Sequence, residues 1–286
     1  MRLSRKVLFC LLSIISPKLN TQLRYRKKMG KFCDLKNPKS FSEKINYLKL
    51  YDYANNPLVN QCADKYRVRE YVTACGCGEY LNDLLGVYKN VEEINIDELP
   101  DSFVLKWNFG CGYNMIVSDK KAQNWDETKH WLKRWKRQLY HLFYAELHYK
   151  VKEKYLLCEK YIDANSVDGL VDYKLYCFHG EVLAILVMTR KKTKTALFMS
   201  PEWEFMSDVR AKYKMGIMHK KPDCLDEMLE IARKLSKPFP FVRVDLYESN
   251  GKPVFGELTF TPAAGVSPSE TKIHGKPMGE YLHIKK

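Results

Sequence analysis

Apolar positions change their period along this chain, and the change divides it. The first third reads as a basic linker from about residue 20 and then as helices. "SFSEKINYLKLYD" has a helix start at Ser42, with Glu43 just inside it. "ADKYRVREYVTACG" (63–76) predicts a second helix ended by Gly76. A short strand follows near Leu85 to Tyr88, then an acidic loop closed by Pro100. "FVLKWNFGCGYNMIV" (103–117) places two apolar runs around a polar, glycine-bearing centre, which predicts a hairpin. Residues 125–154 are a helical tract with Trp131, Trp135, Leu139, Leu142 and Phe143 near helical spacing. This stripe reads as a core face with snorkelling lysines or as an aromatic platform for sugar rings.

The pattern then turns to short runs of β formers. "KYLLCEKYI" (154–162), "DYKLYCFHG" (172–180) and "EVLAILVMTR" (181–190) predict strands, with His179-Gly180 as a hairpin turn. "LDEMLEIARKLSK" (225–237) is an amphipathic helix. "FPFVRVDLY" and "PVFGELTF" are strands joined by "ESNGK", whose Asn-Gly is a strong hairpin signal. "TPAAGVSPSETKIHGK" reads as loop. There are no repeats, and the order of elements predicts an α+β fold.

Composition narrows the partners. The chain has 286 residues, 45% hydrophobic and 29% charged, as for a globular protein with a substantial core. The net charge is +14, which points to an anionic partner: nucleotide, nucleic acid, acidic polysaccharide or membrane surface. Residues 1–31 hold nine Lys or Arg and no Asp or Glu. No zinc-finger spacing, basic zipper or RNA-recognition motif accompanies them, so no specific nucleic acid is expected. The nine cysteines are scattered, without paired C-x-x-C spacing, which argues against disulfides and zinc and for a reducing cytosol. The run "VLFCLLSII" is too short to span a bilayer, which needs ~20 residues. It reads as a short amphipathic or packing helix, whose basic flank could rest peripherally on an anionic membrane face.

Candidate chemistry sits on strands. Lys106 interrupts an apolar run just before the glycine-bearing loop, as a cation beneath an anionic ligand would. Asp245 and Glu257 lie inside apolar strands, where a carboxylate is costly unless paired or metal-bound. Register decides whether they meet. A two-residue Asn250-Gly251 turn sets Asp245 opposite Gly256, whereas a three-residue loop sets it opposite Glu257. Facing carboxylates suit Mg2+, a hard ion that bridges phosphates. Arg243 and Thr259 share their faces by the two-residue period.

Together, "ADKYRVREYV", "LPDSFVLKWNFGCGYNMIV", "LLCEKYI", "DYKLYCFHG" and "FPFVRVDLY…GKPVFGELTFTPAAG" resemble the ATP-grasp superfamily. The likeness is to its TupA-like branch, found in bacterial cell-surface and capsular polysaccharide gene sets. It runs from about "NPKSFSEKINYLKLYD" to the C-terminus. It implies two α+β subdomains clamping ATP under a mobile glycine-rich hairpin. The organisation would be a basic helical extension over 1–55, then an ATP-grasp domain over 56–286. Within that domain the glycine-hairpin subdomain would lie at about 80–160 and the metal-binding one at about 161–286.

By the resemblance, Lys106 contacts the α-phosphate or adenine side, and Asn108, Gly110 and Gly112 belong to the closing loop. Glu159 stands at the adenine hinge, with backbone groups of Lys160 and Ile162 reading the base edge. Asp172 matches the ribose-binding acid and Lys174 a phosphate-binding cation. Arg190 would reach the γ-phosphate or the substrate carboxylate. Asp245 and Glu257 match the Mg2+ ligands, and Arg243 an arginine that stabilises the developing acyl phosphate. Thr259 stands where many relatives have Asn, which bears on a second metal site. Lys65 is motif-like but receives no chemistry.

The implied activity is an ADP-forming carboxylate–amine ligase using ATP and Mg2+. Its substrates would be an anionic glycan or nucleotide-linked uronate and an amine, in the cytoplasm or at the inner face of the plasma membrane. The alternatives are a glycosyltransferase, against which stands the absence of any D-x-D, and a kinase of a glycan hydroxyl. Against the kinase, no Arg directly precedes Asp245, no D-F-G follows it, and the lysine precedes its glycine loop.

Overall fold

A computed structural model describes residues 2–162, 169–189, 195–206, 214–215, 220–267 and 272–285. It opens with a helical pair, α1 (Arg2–Ile15) and α2 (Pro17–Met29). The stretch from about residue 20, expected as linker, is helix as far as Met29. Ser16 caps α2, with Pro17 in the first turn, where its missing N–H costs nothing. Asn20 of α2 clasps α1 by donating to the Phe9 carbonyl (2.8 Å) and the Ser13 hydroxyl (2.6 Å).

Helix α3 (Phe41–Tyr51) begins two residues earlier than its sequence suggests. Ser40, not Ser42, is the cap: its hydroxyl accepts the Glu43 N–H, and Glu43 accepts the N–H of Ser40. The sequence reading put α3 in the extension. The structure builds it into the main core through Ile45 and Leu48, and Tyr53 beyond it donates to the Phe241 carbonyl (2.7 Å).

The expected 63–76 helix is shorter, α5 (Val68–Ala74), and a separate helix not expected from sequence, α4 (Pro57–Ala63), ends where that expectation began. Asp64 separates them by accepting the N–H groups of Tyr66 (2.9 Å) and Arg67 (3.3 Å), a local turn that competes with helix. Gly76 follows α5 with φ +72°, as expected.

Two sheets form the walls of the molecule. The smaller is antiparallel, with β1 (Leu84–Tyr88), β2 (Phe103–Trp107), β3 (Asn114–Val117) and β4 (Leu156–Lys160) in the order β1-β4-β2-β3. On β2, Phe103, Leu105 and Trp107 are fully buried, while Val104 and Lys106 are not. Helix α6 (Trp125–Lys136) covers the apolar face, inserting Leu132, and the Trp107 indole N–H donates to the Leu132 carbonyl (3.0 Å). The helical tract breaks after α6. A single turn, α7 (Tyr140–Phe143), follows, and Ala145 takes φ +54°.

The larger sheet orders β10-β9-β5-β6-β7-β8. Its strands are β5 (Val171–Phe178), β6 (Glu181–Thr189), β7 (Thr195–Met199), β8 (Lys214–Met215), β9 (Phe241–Ser249) and β10 (Lys252–Thr259). All pairs are antiparallel except β7 with β8. Between β8 and β9, α8 (Leu225–Ser236) packs Met228, Ala232 and Leu235 against β5, β6 and β9. Its first turn is acidic and its last basic, complementing the helix dipole. A small hairpin, β11 (Lys272–Ile273) and β12 (Lys276–Pro277), closes the chain.

Both faces of β5, β6 and β9 are covered, so their burial is nearly continuous. One face changes character along its length. Phe178 and Phe241 stack with Phe41 of α3 (5.9 and 5.0 Å) at one end. Two-residue steps along the same strands reach Arg243, Asp245 and Lys174 at the other. The sheet is thus core at one end and site at the other.

Candidate active site

The polar end of the large sheet faces the polar side of the small one across a cleft of about 490 Å3. Its cations are Lys65, Lys106, Lys160 and Lys174, and its acids Glu159, Asp172, Asp245 and Glu257. Val104, Ile116, Ile162, Leu170 and Phe255 supply apolar wall. This mixture of flat apolar surface with a few convergent charges is what a nucleotide requires.

The facing of the two carboxylates depends on one bulge. Lys252 pairs with Ser249, so the Asn250-Gly251 turn has two residues, both at positive φ (52° and 72°). That register alone would turn Glu257 away. Between Phe255 and Glu257 the ladder slips by one residue at Gly256, and Glu257 comes to lie opposite Asp245. Neither loop length considered from sequence describes this solution. A Cβ on Gly256 would stand 2.9 Å from the Asp245 carbonyl and from the Tyr247 ring, so the bulge needs glycine.

Around Asp245 the charges interlock. Arg243 grips it through Nε (2.6 Å) and a terminal nitrogen (2.7 Å), and Lys174 on β5 binds the same carboxylate at 2.5 Å. Asp172 is 3.8 Å from Lys174. Arg243 also donates to Thr259 (3.1 Å), whose hydroxyl donates to Glu257 (3.3 Å). Burial pushes the Asp245 carboxyl up, but the two cations outweigh it and hold it below the usual range. Burial likewise opposes the Arg243 charge, yet Asp245 raises that guanidinium well above its ordinary value. Glu257 is the open carboxylate, with a side chain 36% exposed against 3% for Asp245.

On the small sheet Lys106 sits on the cleft face, which explains the cation within an apolar strand. It pairs with Glu159 of β4 at 2.7 Å. Ile162 lines the cleft near them. Lys160 also lines the cleft, and its backbone is already bonded. Its N–H donates to the Asp83 carbonyl (3.0 Å), its carbonyl accepts the Asn82 amide (2.8 Å), and its ammonium pairs with Asp83 (3.1 Å). Its backbone is engaged by the segment before β1.

The loop residues also divide. Asn108 is fully buried and does not face the cleft. Its amide donates to Asp64 (2.9 Å) and the Glu153 carbonyl (3.0 Å) and accepts from the Tyr155 N–H (3.0 Å). It bolts the base of the loop. Gly110, at φ +65°, packs where a Cβ would be 2.7 Å from the Tyr140 ring, and it too is absent from the cleft wall. Of these three only Gly112 opens on the cleft, beside Cys111 and Tyr113, at φ +79° with nothing within 4 Å of a Cβ. Arg190 lies outside the described residues.

Lys65 is the residue that sequence reading undervalued. Its ammonium reaches the Gly110 carbonyl (2.5 Å) and stands 4.0 Å from Glu257. Burial draws its pKa down, against the pull of Glu257. The available signal was its place directly after Asp64, the residue that breaks the helix and holds Asn108.

Mg2+ and a triphosphate fit these residues. Lys65, Lys106, Lys174 and Arg243 are matched by Glu159, Asp172, Asp245 and Glu257, so the cleft is close to neutral by itself. A triphosphate adds roughly four negative charges, which a divalent cation would offset. Among the described residues no group of three or more His, Cys, Asp or Glu is placed to hold a metal. Two carboxylates suffice for Mg2+, which takes its remaining ligands from phosphates and water.

Comparison with solved structures gives fold-level similarity to several ligases. D-alanine–D-alanine ligase from Bacillus anthracis complexed with ATP is 18% identical, with a TM-score of 0.44, covering 70% of this chain and 55% of that one. An L-amino acid ligase from Bacillus licheniformis is 16% identical, at 0.45, covering 79% and 49%. N5-carboxyaminoimidazole ribonucleotide synthetase in its ADP complex is 11% identical, at 0.46, covering 81% and 51%. The chain therefore spans about half the length of these proteins. Comparison with curated protein sequences gives no match. The family model described as TupA-like ATPgrasp matches residues 43–283, most of the chain and both walls of the cleft, and the protein belongs to the TupA-like ATP-grasp family.

Proposed function

We propose that this protein is an ATP- and Mg2+-dependent carboxylate–amine ligase that releases ADP. One observation carries the reading: Asp245, paired with Arg243 and Lys174, and Glu257 beside it face Lys65 and Lys106 in one cleft. A substrate carboxylate oxygen attacks the γ-phosphorus, the bond to the bridging oxygen breaks, and ADP leaves. The amine then attacks the carbonyl carbon of the acyl phosphate, inorganic phosphate departs, and the nitrogen loses a proton. Mg2+ held by Asp245 and Glu257 would offset charge on the transferring group.

This chain's own residues do the rest. Lys106 and Lys65 bind phosphate oxygens from the small-sheet side. Lys174 and Arg243, already fixed by Asp245, present positive charge without reorganising. The segment around Gly112 covers the cleft and excludes the water that would hydrolyse an acyl phosphate.

The carboxylate substrate is a uronic acid of a cell-surface polysaccharide or of its lipid- or nucleotide-linked precursor. The amine is an amino acid or amino alcohol. The net charge of +14 supports a polyanionic glycan. So does a depression of about 360 Å3 beside Trp131 and Trp135, polar at Gln123 and Glu127. ATP as substrate supports a cytoplasmic location for the reaction.

The test is incubation with Mg2+-ATP, hydroxylamine and a panel of uronic acids, nucleotide-linked uronates and amino acids. ADP plus a hydroxamate from one carboxylate, lost in Glu257→Gln, is the expected result. Phosphorylation of a hydroxyl without hydroxamate would replace the ligase by a kinase. Absence of nucleotide binding would remove both.

A further inference from the structure

The α1–α2 pair lies outside the residues the family model matches, and the chemistry above does not use it. Its inner side is tightly held. Phe9 meets the Phe143 ring edge-on (6.3 Å), and Ser13 donates to the Leu142 carbonyl at 2.5 Å. The Arg24 guanidinium lies over Phe9 (4.1 Å), Phe143 (4.2 Å) and Tyr144 (4.8 Å). The outer side of α1 is different. Val7, Leu8, Leu11, Ile14 and Ile15 are 50–78% exposed. At 100° per residue they fall within an arc of about 120°, opposite Phe9 and Ser13. Leu19 and Leu23 of α2 are exposed as well. Scattered exposed leucines need no explanation, but a contiguous stripe along a whole helix does.

Charge selects the occupant. Residues 1–31 carry nine Lys or Arg and no acid, and Lys18, Arg26, Lys27 and Lys28 are exposed on α2. A second copy pairing through this stripe would bring two such cationic sets together. A bilayer with anionic headgroups accepts both features: apolar side chains enter the headgroup–acyl boundary while lysine and arginine stay among the phosphates. Helix α1 is roughly 21 Å long at 1.5 Å per residue, shorter than the ~30 Å hydrocarbon core. Among the described residues no helix is long and apolar enough to cross a membrane.

We propose that the outer face of α1 lies in the surface of an anionic bilayer, held there by the basic residues of α1 and α2. The inner contacts set the orientation. Helix α1 packs on α7, and Tyr140 of α7 packs on Gly110 at the base of the cleft loop. The loop end of the cleft therefore comes nearest the membrane. The proposal does not depend on the ligase reading, because its readout is lipid binding.

The full-length protein is sedimented with phosphatidylcholine vesicles, with and without phosphatidylglycerol. Expected is binding at least ~10-fold stronger to the anionic vesicles, weakening as salt rises. Leu8→Gln/Leu11→Gln should lower it ~10-fold or more with unchanged far-UV circular dichroism and thermal midpoint. Should that variant misfold, the milder Ile14→Ser/Ile15→Ser carries the same test. Arg26→Glu/Lys27→Glu/Lys28→Glu should abolish the preference for anionic lipid. Equal binding to both vesicles, no binding, or wild-type binding by the glutamine variant would overturn the proposal. A dimer in light scattering that the glutamine variant dissolves would assign the stripe to a second copy instead.

Discussion

The two walls of the cleft are built from opposite physics. On the large sheet, Asp245, Lys174 and Arg243 are almost removed from water, with α8 behind the strands, and each charge is tied to another within 2.7 Å. On the small sheet, Lys106 and Glu159 form one ion pair that still touches solvent. The loop beside them ends in a glycine with nothing near it. The comparison teaches where rigidity is needed. Groups that act on developing charge must not move, so they are locked in a covered sheet. Groups that admit and enclose a ligand sit on a wall with only one covered face.

Removing Asp245 should have the largest effect. Asp245→Ala leaves Arg243 and Lys174 buried without their anion and is expected to cost about 3–5 kcal/mol in urea unfolding as well as turnover. Lys106→Met leaves one carboxylate, Glu159, without its cation where Asp245→Ala leaves two cations without their anion, and should cost less, about 1–3 kcal/mol. It should weaken ATP binding, read by calorimetry, ~10-fold or more. Equal losses of stability in the two variants would erase the distinction between the walls.

Gly256→Ala comes next. The added methyl meets the Asp245 carbonyl, so the bulge must shift at about 1–3 kcal/mol. Glu257 should then leave Asp245, with Mg2+-dependent nucleotide binding lost even where the fold survives. Retained Mg2+ dependence would mean that the register is held elsewhere.

Within the loop, Asn108→Ala should cost about 1–3 kcal/mol by orphaning Asp64 and the Tyr155 N–H. Gly112→Ala meets only backbone strain, about 1 kcal/mol, and should act on closure more than on stability. Thermal melts with and without ATP separate the two. A larger loss of stability in Gly112→Ala would show that the open side of the loop, not its base, carries the fold.

A contribution that depends on pH lies outside the cleft, at Glu43. Burial pushes its carboxyl up, but the Lys31 ion pair and the N–H groups of Ser40 and Lys39 draw it down to about 2 from an ordinary 4.5. A depressed folded pKa stabilises above the unfolded pKa. That contribution should fade as pH drops from about 4.5 toward 2. Stability curves of wild type and Glu43→Gln should converge over this window.

Much of this was legible in the sequence because it is local. Period-2 runs mark the strands, Asn250-Gly251 marks the turn, and α8 carries its own apolar stripe. A carboxylate inside an apolar strand marks a site because burial without a partner is too costly to keep. Other assignments depended on neighbours far along the chain. Asn108 reads like a ligand-facing loop residue, yet Asp64 and the 153–155 segment claim all its bonds. Lys65 receives no chemistry from the sequence, yet after the turn at Asp64 its ammonium reaches the Gly110 carbonyl.

The sequence by itself determined the type of most elements, the α+β class and the two carboxylate strands, since these follow from side-chain periodicity and turn chemistry over a few residues, but it read α2 as linker and the β11–β12 hairpin as loop. Only the tertiary structure decided the register at Gly256, the recruitment of Lys65 and the placing of α3 in the core. Each of these turns on which distant group satisfies a buried charge or an unpaired backbone atom, and no local pattern encodes that choice.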